Sequence, residues 1–185
     1  MMDIQIKRRR AVFLDRDGVL NRVEVIHGLP RSPVCVEDVD ILPGVPEALT
    51  CLRDAGYLLI VVTNRPDVAR GIVSLEAVTR LHRAMQRTLG LDDVCICPHD
   101  DSAHCTCRKP APGLLLSAAA KWGLDLPACY MVGDRWRDIE AGRQAGCTTI
   151  LVDYGYDDTL RSEPDRRVVS MCDAAAWILS RARQA

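Results

Sequence analysis

The chain has 185 residues, enough for one well-cored domain and short for two. Hydrophobic residues make up 48% of it and charged residues 26%, which excludes a largely disordered chain. A formal net charge of −1 supplies no field to draw in a polyanion, so nucleic acid is not an expected partner.

At the N-terminal end, Lys7-Arg8-Arg9-Arg10 precedes the short apolar run Ala11 to Leu14, and Asp15 cuts that run off before it could act as a secretory signal. Ala11 to Leu14 is the first predicted strand. Pro43-Gly44-Val45-Pro46 opens a helix with Val45, Ala48, Leu49 and Leu52 on one face, and Gly56 stops it. Tyr57 to Val62 is the second strand. Ser74 is the expected N-cap of a helix running to about Leu89 and ended by Gly90, and Val94 to Cys97 follows as a short third strand. Pro112 opens a helix from Gly113 to Trp122, closed by Gly123. Cys129 to Val132 is the fourth strand, Arg135 to Ala145 a helix ended by Gly146, Thr148 to Val152 the fifth strand and Asp173 to Arg181 the last helix.

Short apolar strands alternating with helices of crossover length define an α/β domain of three layers over residues 1–185, with a Rossmann-like parallel sheet. The longest apolar stretches, Leu58 to Val62 and Gly113 to Ala120, are far below the ~20 residues of a membrane helix, so no membrane association is expected. In sheets of this kind ligands bind beyond the carboxyl ends of the strands. Asp15, Thr63, the Cys97 region and Asp134 each fall just past the end of a different predicted strand.

Nine cysteines, clustered and odd in number, do not form a disulfide framework, and without a secretory signal a cytoplasmic location is expected. Cys35, Cys51, Cys129, Cys147 and Cys172 read as small buried hydrophobes. Cys97-Pro98-His99 and Cys105-Thr106-Cys107 instead form two ligand pairs separated by the polar loop from Asp100 to His104. Three thiolates and one imidazole satisfy a tetrahedral zinc completely, the mark of a structural ion. His104 adjoins Cys105 and would point away from it in an extended segment, so His99 is the better fourth ligand, while Cys95 is expected to face the sheet packing. The zinc loop, residues 95–109, ends on Arg108 and Lys109 and would hold them rigidly beside the strand ends.

Asp15-Arg16-Asp17-Gly18 holds two carboxylates at the mouth of the first strand. One can attack an electrophile and the other can shuttle a proton to the leaving group. Phe13-Leu14-Asp15-Arg16-Asp17-Gly18-Val19-Leu20-Asn21 resembles the nucleophile motif of the haloacid dehalogenase superfamily of phosphatases. Val61-Val62-Thr63-Asn64, Arg108-Lys109-Pro110 and Val132-Gly133-Asp134, with Asp138 one helical turn on, resemble its other signatures, in order. The resemblance implies a haloacid dehalogenase-like fold and an aspartyl-phosphate on Asp15, with Asp17 as acid and then base. It implies that Thr63 and Lys109 hold the phosphoryl oxygens and that Asp138 supports the site from behind. Magnesium would be held by the Asp15 carboxylate, the Asp17 carbonyl and Asp134, as suits a hard cation. The remaining candidates for substrate contact are Arg16, Asn21, Asn64, Arg108 and Arg135.

Only about 47 residues separate Asp15 from Thr63 and about 45 separate Thr63 from Lys109, so no large cap domain is expected. A capless member with this zinc motif resembles two branches, the D-glycero-D-manno-heptose 1,7-bisphosphate 7-phosphatases and the histidinol-phosphate phosphatases. The Asp15 to Asn21 segment and Val68-Ala69-Arg70-Gly71 look more like the heptose branch. Against that pattern, Arg65-Pro66-Asp67 replaces a frequent Gln-Ser-Gly, the loop after Asn21 is longer and the zinc loop is shorter. The implied partner is a small phosphorylated metabolite, a sugar bisphosphate first, acted on by a monomer. Histidinol phosphate, another small metabolite, or a zinc-stabilised binding domain without turnover are the rival readings.

Overall fold

The computed structural model describes residues 9–26, 29–155 and 161–183. Six parallel strands form its main sheet: β1 (Arg10–Leu14), β4 (Tyr57–Asn64), β5 (Asp93–Cys97), β6 (Tyr130–Gly133), β7 (Thr148–Val152) and β8 (Arg166–Val168). Their order across the sheet is β5-β4-β1-β6-β7-β8. A separate antiparallel hairpin, β2 (Glu24–Ile26) with β3 (Leu29–Arg31), projects from the segment that follows β1. The helices are α1 (Val45–Asp54), α2 (Pro66–Ala69), α3 (Leu75–Leu89), α4 (Gly113–Trp122), α5 (Trp136–Ala145) and α6 (Met171–Ala182).

Alternation along β1 decides how the layers stack. Val12 and Leu14 join one apolar cluster with Leu49 and Leu52 of α1, Leu81 and Met85 of α3, and Ile178 of α6. Ala11 and Phe13 point the other way, into a second cluster with Leu114, Leu115 and Ala118 of α4 and Ala141 of α5. Every residue from Ala11 to Leu14 is fully buried, because a parallel strand covered on both faces has no solvent side. This is the expected sandwich of helices, sheet and helices.

Local chemistry sets the helix ends. The Ser74 hydroxyl accepts from the Ala77 N–H at the start of α3, and Gly90 ends that helix with φ +63°, a conformation that costs glycine nothing. Ser170 caps α6 by accepting from the Asp173 N–H, which starts that helix two residues before the expected Asp173. Arg135 is the N-cap of α5 rather than its first residue, and β4 runs through Thr63 and Asn64 rather than stopping at Val62. The hairpin, α2 and β8 were not expected, since elements of three or four residues carry no readable period. Among the described residues no helix is long and apolar enough to cross a membrane.

The cysteines correct one expectation. Cys129 and Cys147 are buried, but Cys35, Cys51 and Cys172 are exposed, Cys51 being on the outer face of amphipathic α1. Cys95 is half-buried against the α4–α5 side of the core.

Candidate active site

The chain runs from β1 out to β4 and back to β6 on the opposite side of β1, so β1 marks the switch point of the sheet. Asp15 follows the last residue of β1, and its N–H donates to the Val132 carbonyl of β6 at 2.9 Å. Gly133 then lets α5 begin very close by: a Cβ there would lie 2.1 Å from the Asp138 Cβ. Gly18, at φ +80°, plays the same part in the Asp17 turn, where a Cβ would meet an Asp134 carboxylate oxygen at 2.3 Å.

Lys109 lies at the centre of this convergence and is buried. Its ammonium donates to Asp15 Oδ1 at 2.7 Å, to the Val62 carbonyl at 2.7 Å and to Asp138 Oδ1 at 2.6 Å, which uses all three of its protons. Burial works against the lysine charge, but Asp138 and Asp15 outweigh it and hold the ammonium above the usual lysine range. Asp138 is oriented by accepting from the Arg135 N–H through Oδ2 at 3.1 Å. Asn64 fixes the lysine backbone: its Nδ2 donates to the Lys109 carbonyl at 3.0 Å and its Oδ1 accepts from the Lys109 N–H at 3.1 Å.

Asp15, Asp134 and Asp138 offer carboxylate oxygens within 4.8 Å of one another. Burial, opposed by Lys109, pushes the Asp15 carboxyl up to about 6. Burial and then the charges of Asp15 and Asp138 push Asp134 up to about 9. Asp134 Oδ1 is buried and has no hydrogen-bond partner. A buried acceptor left unmatched among crowded carboxylates fits a hard divalent cation, which would satisfy the oxygen and relieve the repulsion.

Asp17 has a different environment. Arg16 donates Nε to Oδ1 at 2.9 Å and Nη2 to Oδ2 at 2.8 Å, Asn21 donates to Oδ1 at 3.0 Å, and the Ser32 hydroxyl donates to Oδ2 at 2.6 Å. Burial raises this carboxyl, but Arg16 and these hydrogen bonds outweigh it and hold it below the usual range. Arg16 and Asn21, both candidates for substrate contact, are buried and bonded to Asp17 in the free chain. Behind them lie Arg65, within 3.5 Å of Asp17 Oδ2, and His82, whose Nε2 lies 3.3 Å from Arg16 Nη1. Burial, Arg16 and Arg65 push the His82 imidazole down to about 3, so it stays neutral. Ser32 and His82 were missed in the sequence because their contacts span 15 and 66 residues, whereas Arg65 stood out as a departure from the family pattern.

A cleft of about 730 Å³ opens beside these groups, lined by Ser32, Asn64, Asp67, Arg70, Arg108, Arg135, Trp136 and Arg137 among others. Four arginines on its wall suit an anionic ligand. Thr63, buried near the end of β4, lies between Val62, which accepts from Lys109, and Asn64, which lines the cleft. The insertions around the site amount to the hairpin and α2, with no cap domain among the described residues.

Immediately before Arg108, four residues converge. Cys97 Sγ is 3.7 Å from Cys105 Sγ, Cys107 Sγ is 3.3 Å from Cys97 Sγ and 3.4 Å from Cys105 Sγ, and His99 Nδ1 is 3.5 and 3.4 Å from Cys97 and Cys107. Ligand atoms around a tetrahedral zinc lie roughly 3.5–3.8 Å apart, so the cluster fits one. His104, in a left-handed conformation at φ +45°, is not part of it.

A phosphoryl-transfer site on a parallel α/β sheet is the class this geometry defines, and the comparisons agree. Residues 106–174 match the model of the HAD-hydrolase-like family. The D-glycero-D-manno-heptose-1,7-bisphosphate 7-phosphatase of Thermosynechococcus vestitus is 38% identical, covering 92% of this chain and 95% of that protein. The D-glycero-beta-D-manno-heptose-1,7-bisphosphate 7-phosphatase of Yersinia pestis is 34% identical over 92% of this chain and 89% of its own length. Among solved structures, the D,D-heptose 1,7-bisphosphate phosphatase of B. bronchiseptica, crystallised with magnesium and phosphate, superposes with a TM-score of 0.81 at 29% identity, covering 94% of this chain and 99% of its own. The chain belongs to the haloacid dehalogenase-like hydrolases, in the family of the heptose-bisphosphate 7-phosphatases.

Proposed function

We propose that the chain is a phosphoric monoester hydrolase that removes the 7-phosphate of D-glycero-D-manno-heptose 1,7-bisphosphate through an aspartyl-phosphate on Asp15. The observation that carries the reading is the buried group of Asp15, Asp134 and Asp138, with Lys109 bonded to two of them and one Asp134 oxygen unmatched. The relatives' substrate, together with an arginine-lined cleft next to that group, supports a sugar bisphosphate.

Asp15, Asp134 and the Asp17 carbonyl are the groups to hold magnesium, with Asp138 close by. When bound, the ion supplies positive charge that lets an anionic phosphate approach the Asp15 carboxylate. Lys109 holds Asp15 ionised and oriented and offers its charge to the phosphoryl oxygens, with the Thr63 hydroxyl beside it. Asp17, ionised in the resting site, is in the form that takes a proton from water when the aspartyl-phosphate is hydrolysed. For the first half it must give a proton to the departing oxygen, a proton it takes up from solvent once bound substrate has displaced part of the Arg16 contact that keeps it ionised. Cys97, His99, Cys105 and Cys107 are the groups to hold a structural zinc that fixes Arg108 and Lys109. All nine thiols are free, as suits a reducing cytoplasm.

Phosphate release measured with magnesium from heptose 1,7-bisphosphate, fructose 1,6-bisphosphate and histidinol phosphate tests the reading. The heptose substrate is expected to have the highest kcat/KM. A higher value on histidinol phosphate would move the chain to the other branch.

A further inference from the structure

We propose that Arg108 and Arg137 form a fork that grips a second phosphate of the substrate, and that Asp101 fills this fork in the free protein as an internal anion the substrate displaces. The inference rests on the bisphosphate reading above and names two residues that it does not use, Asp101 and Arg137.

Arg108 presents its flat edge to Asp101, with Nε 2.8 Å from Oδ1 and Nη2 3.3 Å from Oδ2. This two-point geometry is what a guanidinium offers equally to a carboxylate or a phosphate. Arg137, from the first turn of α5, adds Nη1 at 3.2 Å from the same Oδ1. One carboxylate therefore sits between two cations contributed by different elements. Arg108 is further held by donating Nη1 to the His99 carbonyl at 3.3 Å, inside the cysteine–histidine cluster.

The exposures show which partner is able to leave. The Arg108 side chain is 11% exposed and Arg137 35%, while Asp101 is 58% exposed. The cations are seated and the anion is the loose member. Asp101 is solvated on its own when it leaves, and a phosphate in its place keeps the less exposed Arg108 guanidinium paired. Both arginines line the cleft, and its wall also carries Ser32, bonded to Asp17, and Asn64, bonded to Lys109. Through Ser32 and Asn64 the cleft wall is tied to Asp17 and Lys109, so we set one phosphate at Asp15 and the other in the fork. Arg70 pairs with Asp100 through a single contact, so adjacent acids of this loop meet three of the four cleft arginines.

The test compares kcat/KM for heptose 1,7-bisphosphate with kcat/KM for p-nitrophenyl phosphate, which has no second phosphate, in magnesium-loaded full-length protein. Arg137→Gln is expected to lower this ratio about tenfold, the size of one lost charge-assisted hydrogen bond. Asp101→Asn is expected to raise it severalfold through a lower KM for the bisphosphate. A ratio within twofold of wild type for Arg137→Gln, or a fall for Asp101→Asn, overturns the fork. A wild type with no preference for the bisphosphate refutes the substrate reading and the fork with it, whereas a preference that survives Arg137→Gln refutes the fork alone.

Discussion

Asp15 has to be ionised, buried and close to two other carboxylates at the same time. Its neighbours explain how this is possible: Lys109 meets Asp15 and Asp138 through separate protons, and its third goes to the Val62 carbonyl. Even so, burial leaves the Asp15 carboxyl up at about 6, so its charge is held at a cost. Asp15→Asn keeps an oxygen to accept from Lys109 and removes that charge. The variant is expected to lose at least ~10³-fold in phosphate release while its Tm stays level or rises. Retained turnover in a phosphate-release assay would remove Asp15 as the nucleophile. Asp15, Asp17 and Asp134 were readable because each comes just after a strand within a recognisable pattern, and Lys109 because it follows the Cys105-Thr106-Cys107 pair within one. The Ser32 and Arg65 contacts to Asp17 were not, since they depend on loop conformations with no period in the chain.

At the scale of elements, the loop between β5 and α4 does more than join them. It closes four candidate ligands into one cluster and delivers Arg108 and Lys109 directly after the last of them. Because the loop has few apolar groups of its own, the metal is expected to supply much of its order. Cys105→Ser is therefore expected to lose bound zinc, to melt ~5 °C or more lower, and to lose about tenfold in kcat/KM. Metal content, calorimetry and turnover on the same sample check this, and a fully active zinc-free variant would show the cluster to be dispensable. The long helices were readable to within about two residues from their caps and glycines, as α3 between Ser74 and Gly90 illustrates. The hairpin was not, because its three-residue strands are defined by pairing with each other. In β8, Arg166 and Arg167 are exposed and only Val168 turns to the core, so nothing apolar announced a strand.

For the whole molecule, the crowded acids make stability depend on pH and on cation. The carboxyls of Asp15 and Asp134 are raised from 3.8 to about 6 and about 9, so between pH ~4 and ~9 the folded state binds more protons than the unfolded chain. Stability from these two groups is thus fully present in acid and falls as pH rises through that window. A divalent cation replaces the missing protons, so the rise in Tm on adding magnesium is expected to be larger at pH 8 than at pH 5, by ~3 °C or more. Thermal melts at both pH values, with and without magnesium, check it; an equal rise at each pH would mean that the ion does not bind among these carboxylates. The order of strands and helices, the convergence of acids and a lysine on one sheet edge, and the cysteine–histidine cluster all follow from the chain itself. They rest on hydrophobic period, capping residues and short-range spacing, which are local properties. Which arginine meets which acid was decided only by the tertiary structure. Arg16 turning inward to its neighbour Asp17, and Arg108 to Asp101 in the same loop, depend on loop paths, while Arg137 reaching Asp101 depends on two separate segments being brought together, and such pairings leave no mark in local sequence.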